Sequence, residues 1–387
     1  MRENLKALTS LRFFAAAAIV IHHTSWYFGY GARLGKVFPL DLGVSFFFVL
    51  SGFVLYYAYP SLSSTRDKAR FVVSRFARIW PAHVVTLLLT LVFLPHTWVT
   101  GPDEPSKALP MVANLFLLQS WVPLPHYFFS LNGVSWSIST ELFFYAMFPL
   151  LIWNWERTKW AKLGAAAVMA WACVAWAKAS GVPLLGNTNI LSIDGLVFIF
   201  PPARLLEFSI GVLTAWAWLK YRSRFLHLAT PAQIAAALLV LLGVPLLAKT
   251  IQIAALQGII SAAAAKWLSE SGYAPIFAFA IFSMAMSNGA LARLLSARPL
   301  VLLGEISFSI YLTHQLLMSV LGITRSLPAF GSMPCQLFTY WVIVLTLSFC
   351  LWIFIEKPCR AIIVAKFDQL WPGNAVFARI TQNAAER

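Results

Sequence analysis

Apolar stretches separated by short basic or Pro/Gly-rich segments run along almost the whole chain. Each is close to the length an α-helix needs to cross a hydrocarbon core of about 30 Å. Ten spans are expected, at 11–28, 40–59, 80–98, 136–153, 163–178, 204–219, 232–249, 274–290, 300–321 and 336–355. The segment 250–268 is apolar enough to be an eleventh, and charge decides against it. A crossing there would put the Arg293/Arg298 loop outside, whereas a position on the outer surface keeps it with the other basic loops. Those loops are Arg66–Arg78, Arg157–Lys162, Lys220–Arg224 and the segment after Glu356. Their common side is then the cytoplasmic one, and both termini are expected there. The stretch 111–121 is too short to cross and is expected to lie in the interface or re-enter. No inverted repeat of the kind common in secondary transporters is visible.

Composition sharpens the class. Hydrophobic residues make up 60% of the 387 and charged residues 11%, with a mean hydropathy of +0.75. A soluble domain carries roughly 25% charged residues. The expected fold is therefore an all-α integral membrane protein of about ten transmembrane helices around an internal polar cavity. Residues 1–360 form the expected transmembrane unit and 361–387 a short cytoplasmic tail. The first apolar run lacks a small-residue cleavage site and is expected to stay as a helix. A formal net charge of +15 reads as the basic bias of inner loops rather than a nucleic-acid surface, so the lipid bilayer is the expected partner. Cys173, Cys335, Cys350 and Cys359 show no paired spacing, so neither a disulfide framework nor a metal site is expected.

The polar residues inside the spans fall into two layers. Charged or titratable groups in hydrocarbon cost several kcal/mol, which makes each a candidate functional residue. Arg12 and His23 are eleven residues apart. At about 100° per residue they share one helix face, about 16 Å apart along the axis, while His22 points about 100° away. Arg75 and Arg78 lie three apart and are neighbours on a second helix. They join Arg12 near the cytoplasmic surface, with Glu305. The outer layer holds His23, Asp41, Glu141, Arg204, Glu207 and His314, which are expected to converge on an internal cavity. Two readings stand for most of these. Arg75 and Arg78 are either phosphate ligands or topology anchors. Arg204 and Glu207, at i and i+3, either line a site or form an internal salt bridge. His314 is either functional or a satisfied buried histidine.

Chemically, the two layers suit a two-sided enzyme. Arginines in a fork suit phosphate groups, and a histidine in a low-dielectric cavity suits general-base work on a hydroxyl. The separation of about 16 Å matches a long thioester arm reaching from its phosphates to a reactive carbonyl.

Seven motifs then resemble the membrane-bound acyltransferase-3 family of bacterial O-acyltransferases. They are Arg12-x10-His23, Gly43-Val-Ser-Phe-Phe-Phe-Val-Leu-Ser-Gly-Phe53, Arg75-Phe-Ala-Arg-Ile-Trp-Pro81, Trp136-Ser-Ile-Ser-Thr-Glu141, Arg204-Leu-Leu-Glu-Phe-Ser-Ile-Gly211, Leu303-Gly-Glu-Ile-Ser-Phe-Ser-Ile-Tyr-Leu-Thr-His314 and Glu356-Lys-Pro358. They stand in family order from about residue 9 to 360. The resemblance implies acyl-coenzyme A, most commonly acetyl-CoA, as donor, bound through Arg12, Arg75 and Arg78. It implies His23 as catalytic base or acyl carrier, with Glu141 orienting it or holding acceptor hydroxyls. Trp136, Arg204, Glu207 and His314 are the candidate acceptor-binding residues. The implied acceptor is a hydroxyl of an exported or lipid-linked glycan, and the implied location is the bacterial inner membrane. Two departures stand out. Many members place an acidic residue where this chain has Ser45, and Asp41 is not assumed to replace it. Some members carry a C-terminal hydrolase-like domain that completes transfer. Only about thirty residues follow Pro358, so that domain is expected to be absent, its step falling to the membrane unit or a separate partner. The rival reading is a transporter or flippase of a glycan or lipid-linked substrate, which would use the same charges as a pathway and leave no acyl product.

Overall fold

The structure is a computed structural model of the 387-residue chain, and it describes residues 5–25, 28, 38–94, 108–186, 189–324 and 331–372. The secondary structure of these residues is entirely helical. Helix α1 is Lys6–Ser25 and α2 is Gly43–Ala58. Helix α3, Thr65–Phe93, opens on a capping box. The Ser64 hydroxyl accepts from the Asp67 amide (3.0 Å), and the Asp67 carboxylate accepts from the Ser64 amide (3.1 Å). A short helix α4 (Ala108–Leu115) precedes α5 (Trp136–Ile152) and α6 (Trp155–Ala179).

The expected spans 204–219 and 232–249 fall within one helical run, Pro201–Leu256, of 56 residues. That run contains α7 (Leu205–Phe225), α8 (Ala229–Leu238) and α9 (Val244–Leu256). Gly258 breaks the chain after α9 with φ +70°, a left-handed conformation suited to glycine. Residues 250–268 are therefore not one continuous helix, and α10 starts afresh at Ala262–Ser271. The expected span 274–290 is the 12-residue helix α11, Ala274–Ala285, too short to cross alone. Helices α12 (Ala290–Leu295), α13 (Arg298–Glu305), α14 (Ser307–Thr324), α15 (Met333–Leu351) and α16 (Lys357–Leu370) complete the chain. Among the described residues seven helices are long and apolar enough to cross a membrane. The number is eight if α13 and α14, bent by 59°, form one span. The count expected from sequence, ten, is higher because it separates the Pro201–Leu256 run into two and includes α11.

Helices α2 and α7 form the centre. A methyl group added at Gly52 would fall 2.0 Å from the Phe208 carbonyl oxygen, and one at Gly211 would fall 2.0 Å from that of Val49. The two backbones are in direct contact, as small residues permit between membrane helices. Both glycines stand in the recognised motifs, so those motifs carry packing as well as chemistry.

Residues 108–135 are folded in against α3 and α5 rather than crossing. Their irregular backbone is satisfied by buried side chains, the condition for non-helical chain at depth. Trp80 Nε1 donates to the Leu115 carbonyl (2.9 Å), and His83 Nε2 donates to that of Asn114 (2.8 Å). Ser139 donates to the Leu117 carbonyl (2.6 Å), and Ser120 to that of Trp136 (2.6 Å).

The amino-terminal part of α3 packs on α16 at one basic end of the bundle, where Thr9 and Arg12 of α1 line the same space. There Asp368 pairs with Arg66 (2.9 Å) and Arg70 (2.8 Å). The helix that follows the Glu356-Lys-Pro motif thus continues to Leu370 and packs along α3.

Replacing Gly52 with valine is expected to destabilise the protein by about 3 kcal/mol or more through overpacking. A thermal-unfolding midpoint in detergent equal to wild type would contradict the close approach of α2 and α7.

Candidate active site

Two connected spaces open at the basic end. The inner one, about 350 Å³, is lined by Arg12 of α1, Phe47 and Ser51 of α2, Arg75 and Arg78 of α3, Ser137, Glu141 and Tyr145 of α5, and Tyr311 of α14. The outer one, about 800 Å³, is lined by Arg12, Arg70, Arg78, Glu305, Glu356, Lys357 and Arg360 among others. Arg12 and Arg78 line both and stand at the junction. The π-helical turn Trp352–Glu356 between α15 and α16 carries Glu356 into this space.

The arginines here lack close anions. Among the described residues, none of Arg12, Arg75, Arg78 and Arg360 has a carboxylate oxygen within 4.0 Å. Arg75 is 6% exposed. Its guanidinium lies over the Tyr59 ring at 5.5 Å and reaches hydroxyls of Tyr59 and Ser74 at 3.5 Å. Arg78 is near enough to Arg12, Arg75 and Arg360 that each experiences its repulsion, with Glu141 and Glu356 as the nearest compensation for Arg12. Arg12 and Arg78 instead face open space at the junction of the two cavities.

Arg204 is the opposite case. It is 0% exposed and forms a two-pronged pair with Glu207 (Nε–Oε2 2.5 Å, Nη2–Oε1 3.0 Å). Ser45 and Ser271 donate to the same carboxylate (2.5 and 3.0 Å), and Nη1 of Arg204 donates to the Phe198 carbonyl (2.9 Å). The guanidinium lies over the rings of Phe48 and Phe198. Every prong is used, which makes this a cross-brace between α2, α7 and α10. Ser45, the departure from the family pattern, is one of its donors. Trp136 is 5% exposed and packs on Phe198 at 4.6 Å between ring centres. The expected acceptor-binding residues Trp136, Arg204 and Glu207 thus line neither space.

His23 and His314 meet. Nδ1 of His23 lies 2.9 Å from Nε2 of His314, and the ring planes are 5° apart. His314 is 0% exposed and His23 half-buried. The Tyr311 ring packs 5.8 Å from that of His314 and 6.5 Å from that of Phe47. Tyr311 is fixed by Ser137 (2.8 Å) and by donation to the Val134 carbonyl (2.9 Å). The inner cavity therefore ends at an aromatic wall with the histidine pair directly behind it.

Glu141 changes layer relative to the sequence reading. It lines the cavity that holds Arg12, and it accepts from Ser51 (3.2 Å) and Tyr145 (2.5 Å) rather than from His23. Helix α5 already begins buried at Trp136, so Glu141 sits about 7 Å deeper along its axis.

The sequence reading also missed a buried acid–base cluster at the far end. Lys266 pairs with Glu270 (2.9 Å) and Asp194 (3.4 Å), close to Asp41 and Arg204. Burial pushes the Glu270 carboxyl up to about 7 against the pull of Lys266. The i, i+4 spacing of Lys266 and Glu270 was the available signal.

The comparisons with known proteins agree with the motifs. The acyltransferase-3 family model, described as an acyltransferase domain, matches residues 5–357. The chain belongs to the acyltransferase-3 family. Among curated members, it is 33% identical to acyltransferase MdmB of Streptomyces mycarofaciens over 234 residues, 55% of this chain and 57% of that protein. It is 28% identical to Nodulation protein 10 of Rhizobium leguminosarum bv. viciae over 330 residues, 80% of this chain and 82% of that one. It is 24% identical to O-acetyltransferase OatA of Staphylococcus aureus over 377 residues, 92% of this chain and 57% of OatA. The chain thus spans a little over half the length of MdmB and OatA. No solved structure matches it. Family membership and the apolar helices together make this a multi-pass membrane protein.

The two arginine environments predict opposite responses. Glu207→Ala leaves a buried cation uncompensated and is expected to cost about 3–5 kcal/mol. Arg78→Ala relieves repulsion on Arg12, Arg75 and Arg360 but also removes compensation from Glu356, and is expected to leave the thermal midpoint close to wild type. Equal destabilisation by the two changes would refute the distinction.

Proposed function

We propose that this acyltransferase-3 protein is an O-acyltransferase of the bacterial inner membrane. It moves an acyl group, by default acetyl, from cytoplasmic acyl-CoA to a hydroxyl of an exported or lipid-linked glycan. The observation that carries this reading is the set of arginines without carboxylate partners, gathered around a cavity that runs toward His23. The basic end is the cytoplasmic side, where loops rich in Lys and Arg remain. Arg12, Arg75 and Arg78 hold the donor phosphates as charge-assisted ligands. The thioester arm lies in the inner cavity, pointing at the wall of Phe47 and Tyr311.

At His23 the acceptor hydroxyl loses its proton to an imidazole nitrogen as its oxygen bonds to the thioester carbonyl carbon. The C–S bond then breaks, and the departing thiolate takes the proton back from the imidazolium. For the thioester to reach His23, the Phe47–Tyr311 wall must open, a motion of a kind common in enzymes that exclude water from the reacting atoms. The same wall weighs against the transporter reading, because among the described residues the space it closes offers a bulky glycan no through-path.

Two measurements test the proposal. Acetyl-CoA titrated into purified protein by calorimetry is expected to bind saturably, and Arg75→Ala/Arg78→Ala is expected to abolish the signal. His23→Ala is expected to bind acetyl-CoA normally while losing at least about 100-fold in transfer rate. A well-folded wild type that binds no acyl-CoA would return the arginines to the role of topology anchors.

A further inference from the structure

We infer that His314 is a positioning residue that fixes the tautomer of His23 and makes Nε2 of His23 the reacting nitrogen. This rests on the proposed role of His23 and goes beyond it by naming the atom and what holds it. The inference follows from hydrogen-bond chemistry. Nδ1 of His314 lies 3.2 Å from the carbonyl oxygen of Ile310. A carbonyl only accepts, so the proton of His314 is on Nδ1. His314 is fully buried, and among the described residues no carboxylate contacts either ring. It is therefore neutral, and its Nε2 is a lone-pair acceptor. The 2.9 Å contact then requires Nδ1 of His23 to donate. A neutral imidazole with its proton on Nδ1 keeps its lone pair on Nε2. Among the described residues that Nε2 carries no hydrogen bond, so it is open to a substrate proton.

The holder is itself held. The Tyr340 hydroxyl of α15 donates to the carbonyl of His314 (2.8 Å). Asn132 donates to the carbonyl of Leu312 (2.9 Å), and Thr313 is hydrogen-bonded to Ser348 (2.8 Å). Two separate segments, α15 through Tyr340 and Ser348 and the 108–135 stretch through Asn132, thus fix one turn of α14. When Nε2 of His23 takes a proton, the Nδ1–H bond to His314 persists, so the ring does not reorient during transfer. A carboxylate would orient the ring as well, but at the cost of a buried negative charge. The carboxylate expected there, Glu141, is committed to Ser51 and Tyr145.

The test compares His314→Gln, which offers an amide oxygen to Nδ1–H, with His314→Leu, which offers nothing. Transfer is read as thiol release from acetyl-CoA with a soluble p-nitrophenyl glycoside as acceptor. Donor binding by calorimetry and thermal midpoints are measured on the same samples. The tautomer of His23 is read by 15N NMR of histidine-labelled protein, assigned with His23→Ala. His314→Leu is expected to lose about 100-fold or more in kcat, with KM and acetyl-CoA binding unchanged. His314→Gln is expected to recover most of that loss. Nδ1-protonated His23 is expected in wild type and in His314→Gln, and a tautomer mixture in His314→Leu. The inference is overturned if wild-type His23 carries its proton on Nε2, or if the Leu variant keeps kcat within threefold. It is also overturned if Gln and Leu fall together with a lowered midpoint, which is the mark of a packing role. If wild type releases no thiol and binds no acyl-CoA, the proposed function fails, and the 15N tautomer still decides the inference.

Discussion

A guanidinium inside a membrane protein needs an anion, a polar group or water, and which of these it meets separates the parts of this molecule. Arg204 meets Glu207 within the chain, and with Ser45, Ser271 and the Phe198 carbonyl it ties α2, α7 and α10 together. Arg12, Arg75, Arg78 and Arg360 meet no carboxylate at contact distance among the described residues. The first arrangement is closed and supports the bundle. The second lines two open spaces at the basic end. Sequence alone gave both pairs the same standing, because charge and spacing do not reveal whether a partner lies across the bundle.

Local geometry was legible and long-range contact was not. The shared face of Arg12 and His23, and the adjacency of Arg75 and Arg78, follow from helix pitch alone. The partner of His23 lies 291 residues away, and no spacing rule reaches that far. Glu141 was placed in the wrong layer because segment 108–135 folds inward and delivers α5 already buried. Lys266 and Glu270 were overlooked because their segment was treated as surface. The span count differs for a related reason. Hydropathy registers apolar length, but it does not show that 204–219 and 232–249 belong to one helical run or that the helix at 274–290 is short.

The motifs carry two kinds of information in one string. Gly52 and Gly211 bring two backbones together, while their neighbours Ser51 and Glu207 address a cavity and a cross-brace. In a membrane bundle, close packing and buried polarity depend on each other. A side chain can reach across to a partner helix only if the helices approach closely enough for the bond to form.

The convergence of Arg12, Arg75, Arg78 and Arg360 also bears on how the protein behaves when nothing is bound. Like charges held together in a partly buried space oppose the folded state. Any polyanion that settles there removes that opposition and adds its own binding free energy, about 2.7 kcal/mol at a hundredfold excess over Kd. Robustness and recognition are therefore opposed at this end of the molecule. Substitutions that relieve the repulsion there would also weaken the attraction for any polyanion.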